Sequence, residues 1–275
     1  MQTFHVAEFD AYLRYHDLPG QTPTCVYLHG LGSASSADFP LIVRDPRLAG
    51  YRAVLIDLLG FGFSDRPASF PHTMEAHADI VARLLDHIRV DQCHLVGHSM
   101  GGSVAIALAA ARPELVSGLV VAECNFDPAD ATFSKMVIDQ AASEEDYVAA
   151  GNAFLIAKIE EWAASDPALG TYVGTMRIAD PRAIYRCSVS LVNCHLREAF
   201  FATQAPRTYI FGEKTLPHHH EPLLRDGGVP MAVIPRAGHG MVVENPEAFA
   251  AVIASTIAER DIPPSYRHPA SSQPT

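Results

Sequence analysis

Short apolar runs recur along this chain, each closed by glycine, histidine or an acidic residue. They are Thr24–Leu28, Ala53–Ile56, Cys93–Val96, Gly118–Ala122, Arg207–Phe211 and Met231–Ile234. Several are continuous rather than alternating, the pattern of parallel strands buried on both faces. Helical periodicity fills the intervals. Over Thr73–Ile88 the residues Ile80, Val81, Leu84, Leu85 and Ile88 form one stripe, with Thr73 placed as N-cap and Glu75 in the first turn. Strand and helix alternating in this way predict right-handed βαβ crossovers and a doubly wound α/β sheet. The opening stretches "TFHVAEF" and "AYLRYHDLPG" predict an antiparallel pair at the sheet edge.

The rhythm breaks between Asn125 and Gln204. That span holds helix-forming pieces such as "SEEDYVAAGNAFLIAKIEEWAAS" and "PRAIYRCSVSLVNCHLREAF", and no clear strand. The expected organisation is a core segment over 1–124, a helical cap over 125–204 and a second core segment over 205–260. A Pro/Ser-rich tail over 261–275 is expected to be disordered.

Composition narrows the partners. Of the 275 residues 48% are hydrophobic and 19% charged, and the net charge of −11 argues against nucleic acid or an anionic membrane surface. Met1–Asp10 lacks the basic and apolar regions of a signal peptide, and no apolar run is long enough to span a bilayer. The five cysteines fall mostly in apolar runs, which fits buried thiols better than a disulfide framework. A cytoplasmic protein acting on a small-molecule substrate, without a cofactor, is expected; oligomeric state stays open.

Three motifs carry the chemistry. "GHSMGG" places Ser99 in a G-x-S-x-G pattern directly after an apolar run and before an alanine-rich helix, the context of a nucleophile elbow. The sharp turn lifts the hydroxyl off the strand end, and the helix N-terminus aims N–H groups where negative charge develops. "VYLHGLGSASS" ends a strand at His-Gly, so that the Leu31 and Met100 N–H groups are candidates for an oxyanion hole. His29 reads as a structural histidine bonded to loop backbone. "PRAGHGMVVENPEAFA" sets His239 on a glycine-flanked loop beyond a late strand, where an imidazole base is needed.

Together with "DLLGFGFSDRP", these stretches resemble the α/β-hydrolase superfamily of the kind with a helical cap, in that family's order and spacing. The resemblance implies a mostly parallel eight-stranded sheet and a Ser–acid–His triad in which Ser99 and His239 take two places. It gives Asp57, Gly60, Gly62 and Ser64 a mainly structural role. The acid departs from the pattern. Most members carry an aspartate in a G-x-x-D stretch after the sixth parallel run, and here "IFGEKTLP" puts Thr215 there. Glu123, one strand earlier, is the favoured substitute, Glu213 the next, and Asp127 and Asp130 weaker ones. Dehalogenases and epoxide hydrolases of similar fold attack through an aspartate, whereas the elbow residue here is Ser99. The run His218–His220 reads as a solvated loop rather than a metal site.

The expected activity is hydrolysis of small to medium hydrophobic esters, thioesters or lactones through an acyl-enzyme on Ser99. Carbon–carbon bond hydrolysis of a diketone-type substrate stays open, with Arg177, Arg182 or Arg186 as candidates to hold a substrate carboxylate. So does a slow-turnover ligand receptor on the same fold.

Overall fold

A computed structural model describes residues 1–258 and 262–268 of the protein. Eight strands form one sheet: β1 (Gln2–Val6), β2 (Ala11–Leu18), β3 (Gln21–Leu28), β4 (Tyr51–Asp57), β5 (Cys93–His98), β6 (Val116–Ala122), β7 (Arg207–Gly212) and β8 (Met231–Ile234). Their spatial order is β1-β2-β4-β3-β5-β6-β7-β8. β3 to β8 run parallel, and each predicted apolar run lies inside one of them. β1 and β2 form the expected antiparallel edge, β2 pairing in turn with β4.

Side chains alternate across a strand, so one strand serves two cores. In β6, Leu119 and Val121 pack into the layer that holds α1 (Met74–His87) and α2 (Met100–Ala111). Val120 and Ala122 face the other layer, with Phe249, Val252 and Ile253 of the long helix Pro246–Ile257. α1 begins where its stripe predicts: the Thr73 hydroxyl accepts from the Ala76 N–H at 3.1 Å, and Ile80, Val81, Leu84 and Leu85 are buried. α2 is buried from Met100 to Ala109. Its small residues let it lie close against the sheet, and the Ser103 hydroxyl donates to the Asn125 carbonyl at 3.0 Å.

The strand order reverses between β3 and β5, whose neighbours lead away in opposite directions. Such a switch point leaves a crevice at the carboxyl ends of the strands. Between β6 and β7 the chain supplies helices α3 (Thr132–Ile138), α4 (Asn152–Ser165), α5 (Gly170–Ile178), α6 (Pro181–Leu191) and α7 (Arg197–Ala202), and no strand among the described residues. They are fastened to the crevice's rim. The Asp180 N–H donates to the Gly60 carbonyl at 2.8 Å, and the Arg186 guanidinium to the Ala68 and Phe70 carbonyls at 2.7 and 2.9 Å.

Two further helices follow, α8 (His220–Asp226) and α9 (Pro246–Ile257). Of the tail expected to lack order, 262–268 lie against β8: the His268 N–H donates to the Met231 carbonyl at 3.1 Å, and Ile262 is buried. Positions 261 and 269–275 lie outside the described residues. All five cysteines are free and buried. No described helix is long and apolar enough to cross a membrane.

Candidate active site

Ser99 sits between β5 and α2 with φ 53° and ψ −124°. A non-glycine residue with positive φ is strained, and such strain persists where the surroundings over-determine it. Here the Ser99 N–H donates to the Ala122 carbonyl at 2.9 Å, and its own carbonyl accepts from the Gly102 N–H at 2.9 Å. Only glycine fits at 101, where a Cβ would lie 2.1 Å from the Leu28 carbonyl oxygen.

The loop after β3 runs beside the serine: a Cβ on Gly30 would lie 3.3 Å from that of Ser99. The next residue is Leu31. Its N–H has no acceptor in the described structure, and the Met100 N–H is the first of the helix, where no intrahelical partner exists. His29 holds the loop from beneath, as expected of it. Its Nδ1–H donates to the Gly30 carbonyl at 2.8 Å and its Nε2 accepts from the Leu58 N–H at 3.1 Å. Asp57 likewise serves the scaffold, accepting from the Ser36 N–H at 2.9 Å, the Ser36 hydroxyl at 2.8 Å and the Phe63 N–H at 3.1 Å.

Glu123 follows β6 directly, with φ 40°. Its Oε2 accepts from His239 Nδ1 at 2.8 Å. Its Oε1 accepts from the Gly212 N–H at 2.8 Å and from the Thr215 hydroxyl. Burial pushes this carboxyl up, but the bonds from His239, Thr215 and Gly212 outweigh it and hold the group at about 2. Thr215 therefore stands beside the acid as a hydrogen-bond donor. Glu213 is committed elsewhere, accepting from the Arg236 N–H at 2.7 Å, and Asp130 faces His219 and His220. Among the candidate carboxylates, the one brought to His239 is Glu123.

The His239 loop is pinned from several sides. The buried His98 ring donates from Nε2 to the His239 carbonyl at 2.7 Å, the Lys214 N–H donates to the Ala237 carbonyl at 2.9 Å, and the Gly238 N–H donates to Glu244. The His239 side chain is 54% exposed and opens on a cavity of about 620 Å³ that Ser99, Glu123 and Leu31 also line. No hydrogen bond joins the Ser99 hydroxyl to His239 among the described residues; in unliganded sites such contacts are often long. The cavity's roof comes from the inserted helices through Ile159, Trp162, Leu169, Tyr172 and Leu191.

A family model described as alpha/beta hydrolase fold matches residues 23–158 of the chain. The chain belongs to the α/β-hydrolase superfamily. A 2-hydroxy-6-oxononadienedioate/2-hydroxy-6-oxononatrienedioate hydrolase of Dechloromonas aromatica (strain RCB) is 38% identical over 116 residues, which cover 42% of this chain and 40% of the relative. The match thus spans about two fifths of the length of that curated relative. Among solved structures, an esterase from Thermogutta terrifontis superposes with a TM-score of 0.78 at 21% identity, covering 94% of this chain and 99% of the other. The enol-lactonase from Burkholderia xenovorans LB400 gives a TM-score of 0.77 at 18% identity, covering 94% and 100%. At these identities the likeness is one of fold.

Some neighbours of the site carry no signal in the local sequence. His98 occupies the variable position of G-x-S-x-G, and nothing local marks it as the support of a loop 141 residues away. The Tyr172 hydroxyl, from α5, donates to the Leu31 carbonyl at 3.0 Å. Asp38 is buried against the Ser33 hydroxyl at 2.7 Å, and burial pushes its carboxyl up to about 7. Of residues 218–220, expected as a solvated loop, His219 is exposed and His220 is not. His220 is buried at 3% exposure and, with His218 and His219, lines the cavity.

Proposed function

We propose that the chain is a serine hydrolase acting on esters, thioesters or lactones of small to medium apolar acids. The observation that carries this reading is the 2.8 Å bond between Glu123 Oε2 and His239 Nδ1, in one cavity with the strained Ser99. Glu123 fixes the His239 tautomer, leaving Nε2 as the base. His239 takes the Ser99 proton as Oγ attacks the carbonyl carbon, and returns it to the leaving oxygen or sulfur. The Leu31 and Met100 N–H groups hold the developing oxyanion; each such donor contributes roughly 10²–10³ in rate. Water, activated by His239, then releases the acid from Ser99.

The cavity lining supports uncharged substrates. Among the described residues it contains Asp38, Glu123 and Asp130, and no Lys or Arg. Arg177 is bonded to Glu160 at 2.7 Å, and Arg186 to Glu144 at 2.7 Å, with Arg182 3.8 Å from the same Glu144. Carbon–carbon bond hydrolysis is the second reading, and the activity for which the Dechloromonas relative is named supports it. The same serine and histidine would serve it.

A panel of nitrophenyl esters, lactones and a vinylogous 1,5-diketo acid, each assayed with wild type and Ser99→Ala, tests the choice. Ser99-dependent turnover of neutral esters or lactones at least about tenfold above that of the diketo acid is the expected result. The reverse preference would replace the first reading by the second.

A further inference from the structure

We propose that Asp130, His219 and His220 form a binding site for a zinc-like divalent transition-metal ion in the wall of the cavity. The inference does not depend on which bond Ser99 attacks.

Asp130 presents one carboxylate oxygen to two imidazoles. Its Oδ1 lies 2.6 Å from His219 Nε2 and 3.0 Å from His220 Nε2. The other oxygen is occupied: Oδ2 accepts from the N–H groups of Phe126 and Asp127 at 2.7 and 2.8 Å, which fixes the carboxylate plane.

The decisive group is His220. Its side chain is 4% exposed, and its Nδ1 lies 3.0 Å from the Tyr209 hydroxyl. That hydroxyl also lies 3.4 Å from the Cys124 carbonyl; when it donates there, its oxygen accepts from His220 Nδ1–H. In that tautomer Nε2, 3.0 Å from Asp130 Oδ1, carries no proton. This nitrogen is buried and makes no hydrogen bond despite the 3.0 Å approach. In that tautomer two acceptors face each other, and a cation shared between them would hold the pair together.

The surroundings suit a metal ion in that role. An imidazole that donates its far N–H to an oriented oxygen, and a carboxylate fixed by backbone donors, are the outer contacts that typically orient metal ligands. Two imidazole nitrogens and one carboxylate oxygen are a ligand set used by catalytic zinc sites, which keep a further position open. Ligand atoms about 2 Å from a tetrahedral ion stand about 3.3 Å apart, so the contacts of 2.6 and 3.0 Å would widen by about 0.7 and about 0.3 Å. The donor atoms of His218, His219 and His220 lie within 4.8 Å of one another, which leaves His218 as a neighbour to the ion. All of these residues line the cavity that Ser99 opens on, so the ion would meet whatever occupies it.

The test is calorimetric titration of the full-length, chelator-stripped protein with Zn²⁺ near neutral pH, followed by Co²⁺ absorption spectroscopy. About one ion per chain should bind, and His219→Ala should weaken binding by at least about tenfold. That variant alters a side chain that is 62% exposed, and an unchanged far-UV spectrum will confirm its folding. Asp130→Asn should weaken binding similarly, and bound Co²⁺ should show nitrogen and oxygen ligation without a thiolate charge-transfer band. Three results would overturn the proposal. One is no binding by the wild type, which would leave a proton holding His220 to Asp130. The second is binding that His219→Ala leaves unchanged. The third is a thiolate band, which would place the ion at the buried His72, His77 and Cys187.

Discussion

At the residue scale, the central relation is between Glu123 and the position that Thr215 vacates. A threonine at 215 cannot hold an imidazolium ion, but its hydroxyl can hold the carboxylate that does. Glu123 reaches His239 from the end of the preceding strand because its backbone turns to φ 40° and its longer side chain spans the gap. Glu123→Gln keeps the shape and removes the charge. We expect it to lower kcat on an ester substrate by about 10²–10⁴ with a melting temperature within a few degrees of wild type. Steady-state kinetics beside a thermal melt decide it, and activity within about threefold of wild type would remove Glu123 from the mechanism.

The candidate residues Ser99, His239 and Glu123 stood out in the sequence for a common reason. Each lies at the end of an apolar run, and a doubly wound sheet gathers strand ends into one crevice. Glu213 shares that property, and its rejection needed the geometry: its carboxylate turns back to the Arg236 N–H. His98 and Tyr172 were not legible, because each acts through a partner 141 residues away and no local pattern encodes that pairing. Of the histidines at 218–220, His220 was misread for a similar reason. Their polarity suggests solvent, yet Phe126 and Tyr209 pack around His220 and bury it.

At the element scale, the inserted helices do more than roof the cavity. α5 sends the Tyr172 hydroxyl to the Leu31 carbonyl, so a helix outside the sheet helps set the backbone that would carry one oxyanion donor. The parallel strands and α1 were plain in the hydrophobic pattern, while the number and bounds of the helices between β6 and β7 were not. Several of them are short and amphipathic against one another, which blurs their periodicity. Tyr172→Phe removes a single hydroxyl at a partly buried site. It should cost about 0.5–1.5 kcal/mol of stability and lower kcat about tenfold, leaving KM nearly unchanged. A fall in stability with no change in kcat would mean that the contact only fastens the helix.

At the scale of the whole molecule, the site leaves a mark on the pH dependence of folding. Glu123 is held at about 2 in the folded protein against an ordinary 4.5. Between those values the unfolded chain binds the proton more readily. The stabilisation is therefore complete above pH 4.5, declines as the pH falls toward 2, and is absent below it. Chemical denaturation of wild type and Glu123→Gln across this range isolates the contribution from that of the other carboxylates. The difference in stability between the two should shrink as the pH falls from 4.5 to 2, and a constant difference would contradict the assignment of the shift to Glu123.

The proposed chemistry requires an activated Ser99, which intact-mass measurement after exposure to a fluorophosphonate detects. The probe requires an activated hydroxyl and an oxyanion site, and no knowledge of the natural substrate. One adduct is expected on wild type and none on Ser99→Ala. No adduct on folded wild-type protein, or an adduct that survives in Ser99→Ala, would contradict it.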